Sequence, residues 1–175
     1  KYYSWAKDYL DAWVERTEAN NGIIPTNIGL DGTIGGTCDG KWYGGVYGWG
    51  FSTIVPQTGN IAHRPYFVYR AYLSFGNGLL LTGDQTYVDT WRGVLAKVNE
   101  NRVEKNGQTL YPRMHGDQGW YDYQPEPMTA GELEIYYWSM KPADLERLPM
   151  EGWVAFLEGE NADYPLEALQ KDMES

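Results

Sequence analysis

The chain has 175 residues, 42% hydrophobic and 15% aromatic, which is enough apolar material for one ordinary domain with a real core. Its 14 basic and 24 acidic residues give a net charge of −10 and a pI near 4.6, which argues against nucleic acid or an anionic membrane as a partner. No stretch has the length and apolarity of a membrane span, and a single cysteine, Cys38, excludes an intrachain disulfide.

The chain starts at Lys1 inside a helical pattern, which reads as a processed chain or part of a longer one. On that reading its partners include the remainder of its own chain or a second copy. Trp5, Tyr9 and Trp13, with Leu10 and Val14 one step round, predict an amphipathic helix over 2–18 that ends at Asn20-Asn21-Gly22. Pro25 then biases Ile24 toward extended backbone. A second helix is expected to start near Asn60 to Pro65 and to carry Tyr66, Phe67, Tyr69, Tyr72, Leu73 and Phe75. Gly76-Asn77-Gly78 should break or bend it. A third starts after Thr82-Gly83-Asp84, with Asp84 as N-cap and Tyr87, Val88, Trp91, Val94, Leu95 and Val98 as its apolar stripe. Thr129-x-x-Glu132 reads as a capping box opening a fourth helix that stops at Lys141-Pro142. Short helical pieces are expected over 144–148, 152–157 and 166–173. Trp5, Trp13, Trp91 and Trp138 have helical spacing and are expected in the core.

Two loops interrupt these helices. Gly29 to Phe51 sets Trp42, Tyr43, Tyr47, Trp49 and Phe51 into a glycine-dense backbone. Glycine at that density is incompatible with a regular helix, and the aromatics argue against disorder. Arg113 to Pro127 carries His115, Asp117, Trp120, Tyr121 and Asp122. The two loops occur in matching contexts. Tyr9-Leu10-Asp11-Ala12-Trp13 echoes Tyr87-Val88-Asp89-Thr90-Trp91, and Asn21-Gly22 before Pro25 echoes Asn106-Gly107 before Pro112. Repeated helical units stack so that each covers a face its neighbour cannot.

The repeated helix–loop order, together with Thr82-Gly83-Asp84-x-x-Tyr87, resembles the (α/α) toroids of carbohydrate-active enzymes, which include six-hairpin glycoside hydrolases and toroid polysaccharide lyases. The resemblance is architectural and matches no catalytic motif. It implies a mainly α-helical, single-domain fold of toroid-like helix pairs over 1–175, an incomplete ring with its aromatic loops at one end. It also implies a carbohydrate substrate.

Hydrolysis of a glycosidic bond uses a proton donor and a base or nucleophile, usually two carboxylates. The loops offer Asp39, Asp117 and Asp122 beside Trp42, Tyr43, Trp49, Trp120 and Tyr121, with His115 among the substrate-binding candidates. An aspartate among apolar rings can be raised in pKa by desolvation, as a general acid requires. Aspartate in a glycine-rich loop also serves as a turn-capping residue. Elimination would instead use a base such as histidine or tyrosine, with a cation or amide to neutralise a sugar carboxylate, and Asn60, His63, Arg64 and a nearby tyrosine supply those types. The third reading is a carbohydrate-binding or scaffold segment without catalysis. No metal is expected, because no His-x-x-x-His or Cys-x-x-Cys spacing occurs, and no phosphate-binding or other cofactor fingerprint is present. If the two loops are related, Trp42 and Trp120 should look into one cleft.

Overall fold

The computed structural model describes residues 1–36, 38–43 and 71–174, and the backbone at 53–54 and 61–63. Among them are seven helices and five strands, in two compact units, Lys1–Gly131 and Glu132–Ser175. This mixed α and β architecture overturns the mainly α toroid expected from the sequence. The physical reason lies in the second copy of the apparent repeat. Asn21 (φ 57°) and Gly22 (φ 80°) end a helix, where Gly22 N–H donates to the Thr17 carbonyl. Asn106 (φ 54°) and Gly107 (φ 75°) instead form a two-residue hairpin turn. Two successive left-handed residues suit either a helix terminus or a tight hairpin. The next segment decides between them, and Gln108 onward pairs as a strand.

In the first unit, α1 (Tyr2–Ala19) buries Leu10, Val14 and Thr17. Trp5 is 68% exposed and stacks on Tyr9 on the outer face, so it is not core as expected. Trp13 is also only half-buried. The buried stripe runs one step round the helix from the tryptophans. Two short strands come next, β1 (Thr53–Ile54) and β2 (Ile61–His63). A strand at 61–63 stands inside the span expected to start the second helix, and Tyr66, Phe67 and Tyr69 of that helix lie outside the described residues. Helix α2 (Ala71–Thr82) runs straight through Gly76-Asn77-Gly78 without the expected break. Gly78 is there for proximity: a Cβ on it would lie 2.7 Å from Cγ of Tyr87.

Tyr87 belongs to α3 (Thr86–Glu100), the centre of the core, and all six residues of its expected stripe are buried. Asp84 takes the Thr86 N–H at 2.9 Å, one residue before the N-cap Gln85. Trp91 is fully buried and donates its indole N–H to the Ala130 carbonyl at 2.8 Å, satisfying the one polar atom it takes inside. After α3 the chain forms β3 (Val103–Lys105), β4 (Gln108–Gly116) and β5 (Gly119–Gln124), all antiparallel. The segment expected as a loop over 113–127 is therefore mostly a hairpin. Strand β4 is the hub, pairing with β3 at Gln108, Thr109 and Leu110, with β5 from Tyr111 to Gly116, and with β2 at His115 and Gly116.

The second unit holds α4 (Glu132–Ser139), α5 (Pro142–Leu145), α6 (Gly152–Leu157) and α7 (Tyr164–Glu174). Gly131 sits at φ 81°, so helix α4 cannot begin before Glu132 and Thr129 is not its N-cap. Trp138, expected in the core, is half-buried. Asp144, buried in this unit, accepts the Ser139 hydroxyl at 2.9 Å. Trp153 packs edge-on against Phe156 and Tyr164. No helix among the described residues is long and apolar enough to cross a membrane.

Candidate functional site

The first wall of the site is built on the buried extended segment after α1. Ile23, Ile24, Pro25, Thr26 and Asn27 are all buried. The Trp42 carbonyl accepts the backbone N–H of Thr26 at 2.9 Å, that of Asn27 at 3.1 Å and the Thr26 hydroxyl at 3.2 Å. The Asn27 amide donates to the Lys41 carbonyl at 3.1 Å. These bonds pin Lys41 and Trp42 of the glycine-rich stretch to the buried segment after α1. The loop closes on itself at Gly35, whose N–H donates to Asn27 and whose carbonyl accepts the N–H groups of Cys38 and Gly40. A Cβ at Gly35 would lie 2.3 Å from the Gly40 carbonyl carbon, and its φ is 77°, so only glycine fits there.

The second wall is the β4–β5 hairpin. His115 and Trp120 are directly opposed in its register, and Gly116 pairs with Gly119 around the two-residue tip Asp117-Gln118. Opposed residues of an antiparallel pair lie on one face, close enough for their rings to touch. The His115 and Trp120 ring centroids are 5.0 Å apart, nearly perpendicular.

The two walls meet at His115. Trp42 and Tyr43 each bring a ring centroid to 4.8 Å from the imidazole, and lie 5.3 Å from each other. Trp42, Tyr43, His115 and Trp120 are all half-buried. At the edge, the Tyr43 hydroxyl donates to Asp117 at 3.0 Å and the Lys41 ammonium lies 2.6 Å from the same carboxylate oxygen. The structure thus joins Trp42 and Trp120 in one cluster.

The electrostatics correct one expectation. The hydrogen bond from Lys41, then that from Tyr43, hold the Asp117 carboxyl below its ordinary value. Asp117 is therefore ionised near neutrality and is not a desolvated general acid. Burial pushes His115 below its ordinary 6.5, with the Asp117 charge opposing, so its imidazole is neutral near pH 7. The Nδ1 atom of His115 is buried without a hydrogen-bond partner. Burial, then the bond to Asp117, raises the Tyr43 phenol.

The other candidates stand apart or at the margin. Asp39, at φ 53° in the turn before Lys41, lines a shallow cavity of about 350 Å³ with Thr33, Ile34, Gly35, Gly36 and Gly40. Its charge reaches Lys41, whose pKa is raised first by Asp117 and more weakly by Tyr43 and Asp39. Asp122, exposed at φ 57° on β5, accepts the Gln124 amide at 3.2 Å. It lies three residues beyond Gly119, roughly 10 Å along the ribbon from the hairpin tip at the usual strand rise. Tyr121 points to the opposite face of β5 from Trp120. His63 stands opposite His115 in the backbone register of β2 and β4. Trp49 and Arg64 lie outside the described residues. Among the described residues no group of three or more His, Cys, Asp or Glu is placed to hold a metal.

Lys41 is the site residue that sequence reading misses. Its signal is a single cation just before Trp42-Tyr43 in a run otherwise made of glycine, acid and aromatic residues. A family model described as a domain of unknown function, DUF8034, matches residues 1–111. That span includes Lys41, Trp42 and Tyr43 and ends within β4, before His115. No curated protein and no solved structure matches the chain.

Proposed function

The chain belongs to the DUF8034 family, a domain of unknown function, and from its site we propose that it is a carbohydrate-active protein that binds a poly- or oligosaccharide. The observation that carries this reading is the half-buried cluster of Trp42, Tyr43, His115 and Trp120 with a carboxylate and an ammonium at its edge. A sugar ring has apolar C–H faces and a polar rim. Aromatic surface meets the faces, and Asp117, Lys41 and the Tyr43 hydroxyl meet the rim. Sites for small polar molecules combine apolar walls with a few fixed polar groups in this way.

Glycosidic cleavage is the second reading, and Lys41 favours it. Asp117 and Asp39 both act on its ammonium, which brings two carboxylates to one neighbourhood. Asp117, held ionised, has the state required of a base or nucleophile, and Asp39 is the partner carboxylate.

A panel of neutral and acidic polysaccharides tests both. Binding is read by quenching of tryptophan fluorescence, and cleavage by reducing ends and by the ultraviolet absorbance of unsaturated products. Trp42→Ala and Trp120→Ala should each weaken binding at least about tenfold, the loss of one well-placed aromatic contact. Asp117→Asn should abolish reducing-end release while binding survives. Failure of every glycan to bind sinks the reading. Binding that both tryptophan variants retain would move the site elsewhere.

A further inference from the structure

We infer that this site takes uncharged glycans and discriminates against uronic-acid polymers, an inference that rests on the carbohydrate reading of the same cluster. A uronate brings a carboxylate to every acidic sugar, and the strongest way to recognise it is a cation free to pair with it. Among the described residues the cations at the site are already engaged. The Lys41 ammonium is 2.6 Å from the Asp117 carboxylate, with Asp39 acting on it as well. Arg113, two residues before His115 on β4, donates to the backbone carbonyls of Glu126 at 2.6 Å and Pro112 at 3.4 Å. The His115 ring, packed against three aromatics, contributes no positive charge near neutrality. Beside Tyr43 a single ammonium faces two aspartates, and the Arg113 guanidinium, whose charge its carbonyl partners do not cancel, is tied to the backbone two residues along β4 from His115. The molecule adds to this a net charge of −10, which lowers the local concentration of a polyanion.

Discrimination here is a difference of affinities, produced by a repulsive element as well as by attractive ones. The aromatic faces stack on either kind of sugar, because a carboxyl at the ring periphery leaves the C–H face unchanged. The charge at the edge is what separates them. Asp117 has two roles in this arrangement: it repels an incoming carboxylate, and it occupies the lysine that would otherwise receive it.

The test pairs each glycan with a counterpart that differs only in charge. Neutral glucan, xylan and mannan oligosaccharides are compared with their carboxymethylated forms, and oligogalacturonate and oligomannuronate with their carboxyl-reduced forms. Binding is measured by fluorescence quenching at about 0.1 M salt, where the Debye length is about 10 Å. The expected result is that the neutral member of a binding pair is preferred at least about tenfold. In Asp117→Asn that preference should shrink by up to about fivefold, the upper range for an exposed ion pair, because Lys41 is released to meet a carboxylate. Lys41→Met should sharpen the preference, by leaving Asp117 uncompensated. Far-ultraviolet circular dichroism matching that of the parent chain would establish that each variant is folded. An acidic glycan bound as tightly as its neutral counterpart overturns the inference and leaves the carbohydrate reading standing. So does a preference unchanged in both variants, since it would not arise at this edge. No binding by any member of any pair overturns both.

Discussion

Packing a histidine ring against Trp42, Tyr43 and Trp120 strips the imidazole of water, and at His115 nothing replaces it at Nδ1. A buried polar atom without a partner costs about 1–3 kcal/mol. The same burial lowers the His115 pKa from 6.5, and that direction sets the sign of the pH effect. Below 6.5 the unfolded chain takes up a proton that the folded chain resists, so this contribution to stability is full above about 6.5 and is lost as pH falls. Asp117 acts in the same direction at lower pH, since its lowered pKa gives stability that is lost as pH falls from its ordinary 3.8. His115→Phe keeps an aromatic ring in the cluster, removes the orphan nitrogen and removes the titration. Its expected effect is a gain of up to about 1 kcal/mol at pH 7 and a flatter fall in melting temperature between pH 6.5 and 5. Melting temperature measured across that range checks it. A variant that melts lower at every pH would mean that Nδ1 has a partner after all.

Glycine has three different jobs in this chain, at a helix end, in a hairpin turn and at a close approach, and one letter in the sequence does not distinguish them. In α2, Gly78 lets the Tyr87 ring lie against the helix backbone. An alanine there would add helix propensity of up to about 1 kcal/mol, but its Cβ would meet Cγ of Tyr87 at 2.7 Å, inside the buried core. Overpacking of a filled core costs about 1–3 kcal/mol, so Gly78→Ala should destabilise despite the propensity, and denaturant unfolding measures the difference. A stabilised variant would show that Tyr87 moves aside freely. Gly76-Asn77-Gly78 looks like a helix break in the sequence because close approach is a tertiary fact, invisible in a local pattern. Asn106-Gly107 misleads in the opposite way. It is a strong hairpin signal, but its likeness to Asn21-Gly22 disguises it as the end of a helical unit. The hairpin it starts leads into the strand that carries His115, so the disguise hides the sheet and makes a ribbon look like a loop. The apolar stripe of α3 is legible because six buried positions at helical spacing leave few alternatives. The meeting of Trp42 and Trp120 is expected from a helix–loop repeat, and the structure brings both rings to His115 without that repeat. Lys41 is not legible, because an ion pair across 76 residues leaves no mark on either local sequence.

At the scale of the whole molecule, two sources of repulsion toward an anionic ligand must be told apart. One is the net charge of −10 spread over the surface. The other is the local edge beside Tyr43, where Asp117 occupies the Lys41 ammonium and Asp39 acts on it as well. Salt separates them by range. At about 0.01 M the Debye length is about 30 Å and charges across the molecule act on the ligand; at about 0.1 M it is about 10 Å, and only charges at the site remain effective. The preference for a neutral glycan over its carboxymethylated form should therefore fall between those two salt concentrations and then level off above unity. The step belongs to the distributed charge and should be the same in Asp117→Asn, which changes the total by only one unit. The plateau belongs to the edge and should be the part that the variant lowers. A preference that vanishes entirely by 0.1 M in the parent chain would assign all of it to the surface field, and Asp117 would then serve only to orient Lys41 and Tyr43 beside the rings.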